Sequence, residues 1–120
     1  MRVLLAEDNA KNVELFVAAL AIDGHDVTVE RDGLGARERA LREAFDLIVL
    51  DIQMPLLDGY ALCAELRASG IRGPIIALSA AAMPSDIERG KEMGFDAYLT
   101  KPIRPGELRA AVRSFQRPRR

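Results

Sequence analysis

Glu7, Asp8, Asp51, Ser79 and Lys101 each end or directly follow a short apolar run. Three carboxylates, one hydroxyl and one ammonium form a set with a definite chemistry. Carboxylates held close together repel and raise each other's pKa. A divalent cation relieves that repulsion. Mg²⁺ is hard, prefers oxygen, and is usually held by one or two carboxylates with waters and a phosphoryl oxygen. Asp8 and Asp51 are the expected direct ligands, and Glu7 the one acting through a water. A divalent cation plus Lys101 balances the three acids and leaves Asp51 able to attack an electrophilic phosphorus, an established role for aspartate. A phosphorylated side chain gains about one further negative charge. Lys101 and the Ser79 hydroxyl are placed to meet it. Catalysis of this kind comes from positioning and electrostatics.

The elements that must position these groups alternate along the chain. Short runs rich in β-branched residues read as strands: Val3–Ala6, Asp26–Glu30, Leu47–Leu50, Ile75–Leu78 and Ala97–Thr100. Between them lie stripes at helical spacing: Val13, Phe16, Val17 and Leu20; Gly59, Leu62, Cys63 and Leu66; Leu108, Ala111, Val112 and Phe115. Ala36, Ala40 and Ala44 make a weaker stripe. The segment from Pro84 to Met93 is the poorest helix, with Gly90 inside it and Gly94 as its cap. Such alternation implies an α/β fold with a parallel sheet covered on both faces. Strands one, three and four are apolar throughout and suit the centre; strand two alternates and suits an edge. The expectation is a single-domain flavodoxin-like (βα)5 three-layer sandwich of order 2-1-3-4-5. Its ligands bind beyond the carboxyl ends of the strands, near the switch point between strands one and three. Residues 1–116 are expected to form this domain, and residues 117–120 a disordered basic tail.

The bulk properties agree. The chain has 120 residues, enough for one domain. Hydrophobic residues are 49% and charged residues 29%, an ordinary globular balance. One cysteine excludes an internal disulfide. With 17 basic and 18 acidic residues, the net charge of −1 gives no basic excess that calls for nucleic acid. No apolar run approaches the ~18 residues that span a bilayer. A soluble, cytoplasmic protein is the expectation, without direct nucleic-acid or membrane partners.

Four stretches carry a resemblance: Leu4-Leu5-Ala6-Glu7-Asp8-Asn9; Leu50-Asp51-Ile52-Gln53-Met54-Pro55 with Asp58-Gly59; Ala77-Leu78-Ser79-Ala80; and Tyr98-Leu99-Thr100-Lys101-Pro102. In this order and on these strands, the sequence resembles a response-regulator receiver domain of two-component signalling, from Arg2 to about Phe115. The resemblance implies that Asp51 takes a phosphoryl group from a phosphohistidine of a sensor kinase or phosphotransfer protein. It implies that Asp8, Asp51 and the backbone carbonyl of Gln53 hold Mg²⁺ (Mn²⁺ as substitute), with Glu7 through water. Ser79 and Lys101 would bind the phosphoryl oxygens. Tyr98 would be the aromatic that turns inward as the Ser79 hydroxyl moves, with small Ala80 leaving it room. Lys101-Pro102 would be a cis peptide. Gln53 and Ala81 stand at positions that tune dephosphorylation in the family. The output face would be built from the fourth helix, fifth strand and fifth helix, with Arg89, Arg104 and Arg109 as contributors. Many relatives carry Thr where this chain has Ser79; the hydroxyl is kept.

Simpler roles compete at several positions. A Glu-Asp pair also places acid at a helix N-terminus, and Asn9 reads as a cap. His25 reads as a turn residue, Cys63 as core, and Asp58-Gly59 as turn chemistry. Two other functions compete with this reading. A haloacid-dehalogenase-like phosphatase wants a second acid two residues after the nucleophile, where this chain has Gln53. A flavodoxin-like cofactor binder wants a glycine- and hydroxyl-rich phosphate loop after strand one, where this chain has Glu7 and Asp8. Within the receiver reading, the chain is a stand-alone switch, a phosphorelay intermediate or phosphate sink, or a receiver from a longer protein. The run Ala77 to Met83 resembles receivers attached to hybrid kinases.

Overall fold

The computed structural model describes residues 1–116. The expected tail at 117–120 lies outside the described residues. Five strands and five helices alternate: β1 Arg2–Ala6, α1 Ala10–Ile22, β2 Asp26–Glu30, α2 Gly33–Arg42, β3 Leu47–Asp51, α3 Gly59–Ala68, β4 Ile75–Ser79, α4 Pro84–Met93, β5 Ala97–Thr100 and α5 Pro105–Ser114. The strands form one sheet in the order β2-β1-β3-β4-β5. Every pairing is parallel.

Side chains of a strand alternate between faces, and the central strands are buried on both. Leu4, Ala6, Ile48, Leu50, Ile75 and Ala77 face Ala36 and Ala40 of α2 and Leu62, Cys63 and Leu66 of α3. Val3, Leu5, Leu47, Val49, Ile76 and Leu78 face Phe16 and Leu20 of α1 and Leu108 and Val112 of α5. Each fully buried leucine or isoleucine contributes ~1.5–3 kcal/mol relative to exposure. These two layers therefore hold the sheet between its helices. Register then does the functional work. Ala6 pairs with Leu50, Asp51 with Leu78, and Ser79 with Thr100, so the strand ends carrying the polar groups lie side by side.

The weaker alanine stripe is shorter than its spacing suggests. α2 ends at Arg42, and Ala44 is exposed beyond it. The Glu43 backbone is extended, and the Ala44 carbonyl instead accepts a hydrogen bond from Arg2 Nη1 at 2.8 Å. A tertiary contact has replaced the last helical turn. The other helix ends follow their local chemistry. Asn9 caps α1 and Asp58 caps α3 by accepting from the backbone amides of Asn12 and Ala61. Among the described residues no helix is long and apolar enough to cross a membrane.

Candidate functional site

At the carboxyl edge of the sheet, Glu7 is 0% and Asp51 1% exposed. Lys101 Nζ lies between them, 3.2 Å from Glu7 Oε1 and 3.0 Å from Asp51 Oδ2. The Gln53 backbone N–H donates to Asp51 Oδ1 at 3.1 Å. Asn12 Nδ2 and the Asn9 N–H hold the Glu7 carboxylate from α1 at 3.2 and 3.3 Å. Asp8 is exposed at the rim. One oxygen from each of Glu7, Asp8 and Asp51 falls within a 4.8 Å cluster.

One ammonium does not balance three acids. Burial, and then the neighbouring Glu7 carboxylate, push the Asp51 carboxyl up to about 7 against the pull of Lys101. Burial also pushes Glu7 upward, but hydrogen bonding from Asp51 and the Lys101 charge outweigh it and hold Glu7 below its usual range. The pair therefore keeps a proton into the neutral range. An all-oxygen cluster with surplus negative charge suits a hard divalent cation.

Ser79, 0% exposed, ends β4 beside this cluster. Its Oγ accepts from Gln53 Nε2 and from the Ala81 N–H, each at 3.0 Å. The Ala80 N–H points to Gln53 Oε1 at 3.4 Å, and Ala80 itself is exposed. Tyr98 is half-buried on β5, with its hydroxyl donating to the Ala81 carbonyl at 2.8 Å. The Lys101-Pro102 peptide is cis. The structure thus brings Glu7, Asp8, Asp51, Gln53, Ser79 and Lys101 to one edge, with Tyr98 a short step away through Ala81.

Three side chains near this edge escaped the sequence reading. Gln53 was read for its backbone carbonyl and as a position that tunes dephosphorylation, but not for the hold its side-chain amide has on Ser79. Arg31 follows an edge strand but reaches across to the Asp8 carbonyl at 2.7 Å. Tyr60 meets Tyr98 hydroxyl to hydroxyl at 3.1 Å. The signal available for Tyr60 is only its place beside Asp58-Gly59. The arginines expected on the output face are also partly committed. Arg109 forms a two-point ion pair with Asp23 at the end of α1, at 3.1 and 2.9 Å. That partner holds the Asp23 carboxyl down to about 2. Arg89 stacks on the Tyr60 ring, 4.3 Å from its centroid.

The β3–α3 loop that carries Gln53 is held against α2. The Gly33 N–H donates to the Pro55 carbonyl at 3.2 Å, and a Cβ at Gly33 would collide with the Leu57 carbonyl oxygen. Only glycine permits this approach.

The response regulator receiver domain family matches residues 3–113, and the chain belongs to it. It is 41% identical over 116 residues to the probable transcriptional regulator ycf27 of Porphyridium aerugineum, covering 97% of this chain and 48% of that protein. It is 42% identical over 109 residues to the peroxide stress-activated histidine kinase mak1 of Schizosaccharomyces pombe, covering 84% of this chain and 7% of the kinase. The chain spans 48% of the regulator it matches, about half. Among solved structures, the Francisella response regulator 1452 receiver domain is 36% identical with a TM-score of 0.91, covering 95% of this chain and 94% of that one. The receiver domain of the Pseudomonas aeruginosa PAO1 sensor histidine kinase PA1611 is 39% identical, with a TM-score of 0.86 and 95% coverage of each chain. That structure has a magnesium ion coordinated in its active-site cleft.

Proposed function

We propose that this receiver accepts a phosphoryl group on Asp51 from a phosphohistidine of a sensor kinase or phosphotransfer protein, in a Mg²⁺-dependent reaction that switches a partner-binding face. The observation that carries this reading is Asp51 itself: a carboxylate 1% exposed at a strand end, 3.0 Å from the Lys101 ammonium and clustered with two other acids.

Asp8, Asp51 and the Gln53 backbone carbonyl would hold Mg²⁺, with Glu7 through a water, and the ion would neutralise charge on the transferring phosphoryl group. The chain's own groups do the rest. An Asp51 carboxylate oxygen forms the new O–P bond as the N–P bond of the phosphohistidine breaks, its electron pair leaving with the imidazole nitrogen. Lys101 turns from the Asp51 carboxylate to the added phosphoryl charge, a charge-assisted contact that is about twice as strong as a neutral one. The Ser79 hydroxyl offers its proton to a phosphoryl oxygen. These contacts favour one of two pre-existing arrangements, and Tyr98 carries the difference to α4 and β5. Self-catalysed phosphorylation and dephosphorylation at this site go with the reading, as does a cytoplasmic location. The likeness to a segment of a histidine kinase supports the alternative of a phosphorelay intermediate or phosphate sink.

Incubation with Mg²⁺ and a small phosphodonor, followed by intact mass, tests the proposal. One phosphoryl adduct is expected with Mg²⁺, and none with chelator or in Asp51→Asn. An adduct that persists in Asp51→Asn contradicts it.

A further inference from the structure

Tyr60 and Tyr98 are the chain's two tyrosines. Tyr60, in the first turn of α3, is 7% exposed. Its hydroxyl lies 3.1 Å from the Tyr98 hydroxyl and 3.1 Å from the Asp86 carbonyl of α4. Tyr98 donates to the Ala81 carbonyl at 2.8 Å. A phenol carries one proton and can also accept, so two protons serve three contacts. With the Tyr98 proton on Ala81, the Tyr60 proton is the one available to the Tyr98 oxygen. Asp86 lies within a helix, where an amide four residues on serves its carbonyl. Tyr60 can therefore give its proton to Tyr98 without orphaning that group. Burial, then the neighbouring Tyr98 hydroxyl, push the Tyr60 phenol up to about 12, so it remains a donor at neutral pH.

Both rings are seated. Arg89 lies over the Tyr60 ring, and Phe95 meets it edge-on at 6.4 Å. The Tyr98 ring packs against the backbone of α4, where a Cβ on Gly90 would stand 2.9 Å from Tyr98 Cδ2. Glycine inside a helix costs about 0.5–1 kcal/mol relative to alanine, and here it makes room for that ring. Meanwhile the hydrogen bonds of Ser79 Oγ run to Gln53 and Ala81. The Tyr98 ring is thus seated against α4 and the core, and Ser79 Oγ is held by Gln53 and Ala81.

We propose that Tyr60 is a positioning residue whose hydroxyl holds the Tyr98 ring in place against Gly90, so that the response of this chain to a phosphoryl group depends on the Tyr60 hydroxyl. This rests on the reading of Tyr98 as the switch aromatic.

Tyr60→Phe keeps the ring and deletes the hydroxyl. The probe is beryllofluoride with Mg²⁺, titrated against the full chain, together with NMR of ring-labelled tyrosine. In Tyr60→Phe the apparent beryllofluoride affinity should fall about three- to tenfold, the range one net hydrogen bond supplies. In the untreated protein, the cross-relaxation between the Tyr98 ring and the Gly90 α-protons should weaken. In a Tyr98→Phe background, Tyr60→Phe should change the affinity by less than about twofold, as a residue acting through Tyr98 must. An equal loss in both backgrounds, or no loss in either, overturns the proposal. Gly90→Ala crowds the Tyr98 ring from the other side while favouring the helix. It should lower beryllofluoride affinity without lowering the thermal midpoint, and unchanged affinity counts against a response that depends on the seated Tyr98 ring. If the wild type binds no beryllofluoride with Mg²⁺, the phosphoacceptor reading fails. The Tyr98–Gly90 contact in the untreated protein, and its dependence on the Tyr60 hydroxyl, still decide the positioning role.

Discussion

Gln53 Nε2 donates a hydrogen bond to Ser79 Oγ across 3.0 Å, so a side chain two residues after Asp51 holds the hydroxyl that the proposed function assigns to the phosphoryl group. Gln53→Ala removes this hold and leaves the Ala81 N–H as the hydroxyl's partner. One net hydrogen bond contributes about 0.5–1.5 kcal/mol, so beryllofluoride affinity should rise about two- to tenfold. Titration of the variant against the wild type measures this. A weaker variant would show that Gln53 serves the bound state rather than restraining the resting one.

Lys101 is the one cation the structure places between Glu7 and Asp51 among the described residues. Lys101→Ala should lower the stability of the metal-free protein at about pH 8 by ~1–3 kcal/mol, the range for charged hydrogen bonds reduced for partial exposure. Mg²⁺ held by the Glu7, Asp8 and Asp51 cluster would restore positive charge there. It should raise the thermal midpoint of the variant more than that of the wild type. Equal gains would contradict the charge balance described here.

The pH dependence follows from the same acids. Burial and the Glu7 carboxylate push the Asp51 carboxyl up to about 7 from its ordinary 3.8. The folded state therefore keeps a proton that the unfolded chain releases. That contribution is full below the ordinary value and is lost as pH rises toward about 7. Glu7 is held below its usual range, so its contribution is present above 4.5 and is lost only under stronger acid. Burial lowers His25 from 6.5, which opposes the Asp51 trend as pH falls. The test is thus a difference. From about pH 7 to about pH 5, in chelator, the denaturant midpoint of the wild type should rise relative to that of Asp51→Asn. A constant gap between the two would show that Asp51 is ordinary.

Much of the site was legible because it lies where strands end. Apolar runs that stop at Asp51 and Ser79, or just before Glu7 and Lys101, need only the rule that parallel strands align their carboxyl ends. The runs that were apolar throughout marked strands one, three and four as central, a condition that the order 2-1-3-4-5 meets. The illegible contacts join residues far apart through side chains that leave the sheet. Gln53 reaches Ser79 across 26 positions, Tyr60 reaches Tyr98 across 38, and Arg109 reaches Asp23 across 86. Loop curvature and rotamers set these contacts, and neither leaves a periodic trace. Ala44 failed for a related reason: Arg2, 42 positions away, took its carbonyl.

Arg67 shows how such contacts support the fold. Its guanidinium donates to the carbonyls of Ile71, Gly73 and Gly94 and to Asp96, at 2.7 to 3.1 Å. It ties the end of α3 to the turns that begin β4 and β5. Lysine keeps the charge but lacks the planar fork. Arg67→Lys should therefore cost about 2 kcal/mol or more in urea unfolding, from several lost hydrogen bonds. A loss under about 0.5 kcal/mol, typical of plain surface changes, would show that the fork is dispensable.

The central claim is that Asp51 forms a covalent acyl phosphate. After Mg²⁺ and a small phosphodonor, borohydride reduction converts an acyl phosphate at aspartate to a homoserine residue that peptide mass mapping locates. That conversion is expected at position 51, dependent on Mg²⁺ and on the phosphodonor. Conversion at Asp8 or Glu7 instead, or none at position 51 in protein carrying a phosphoryl adduct, would contradict it.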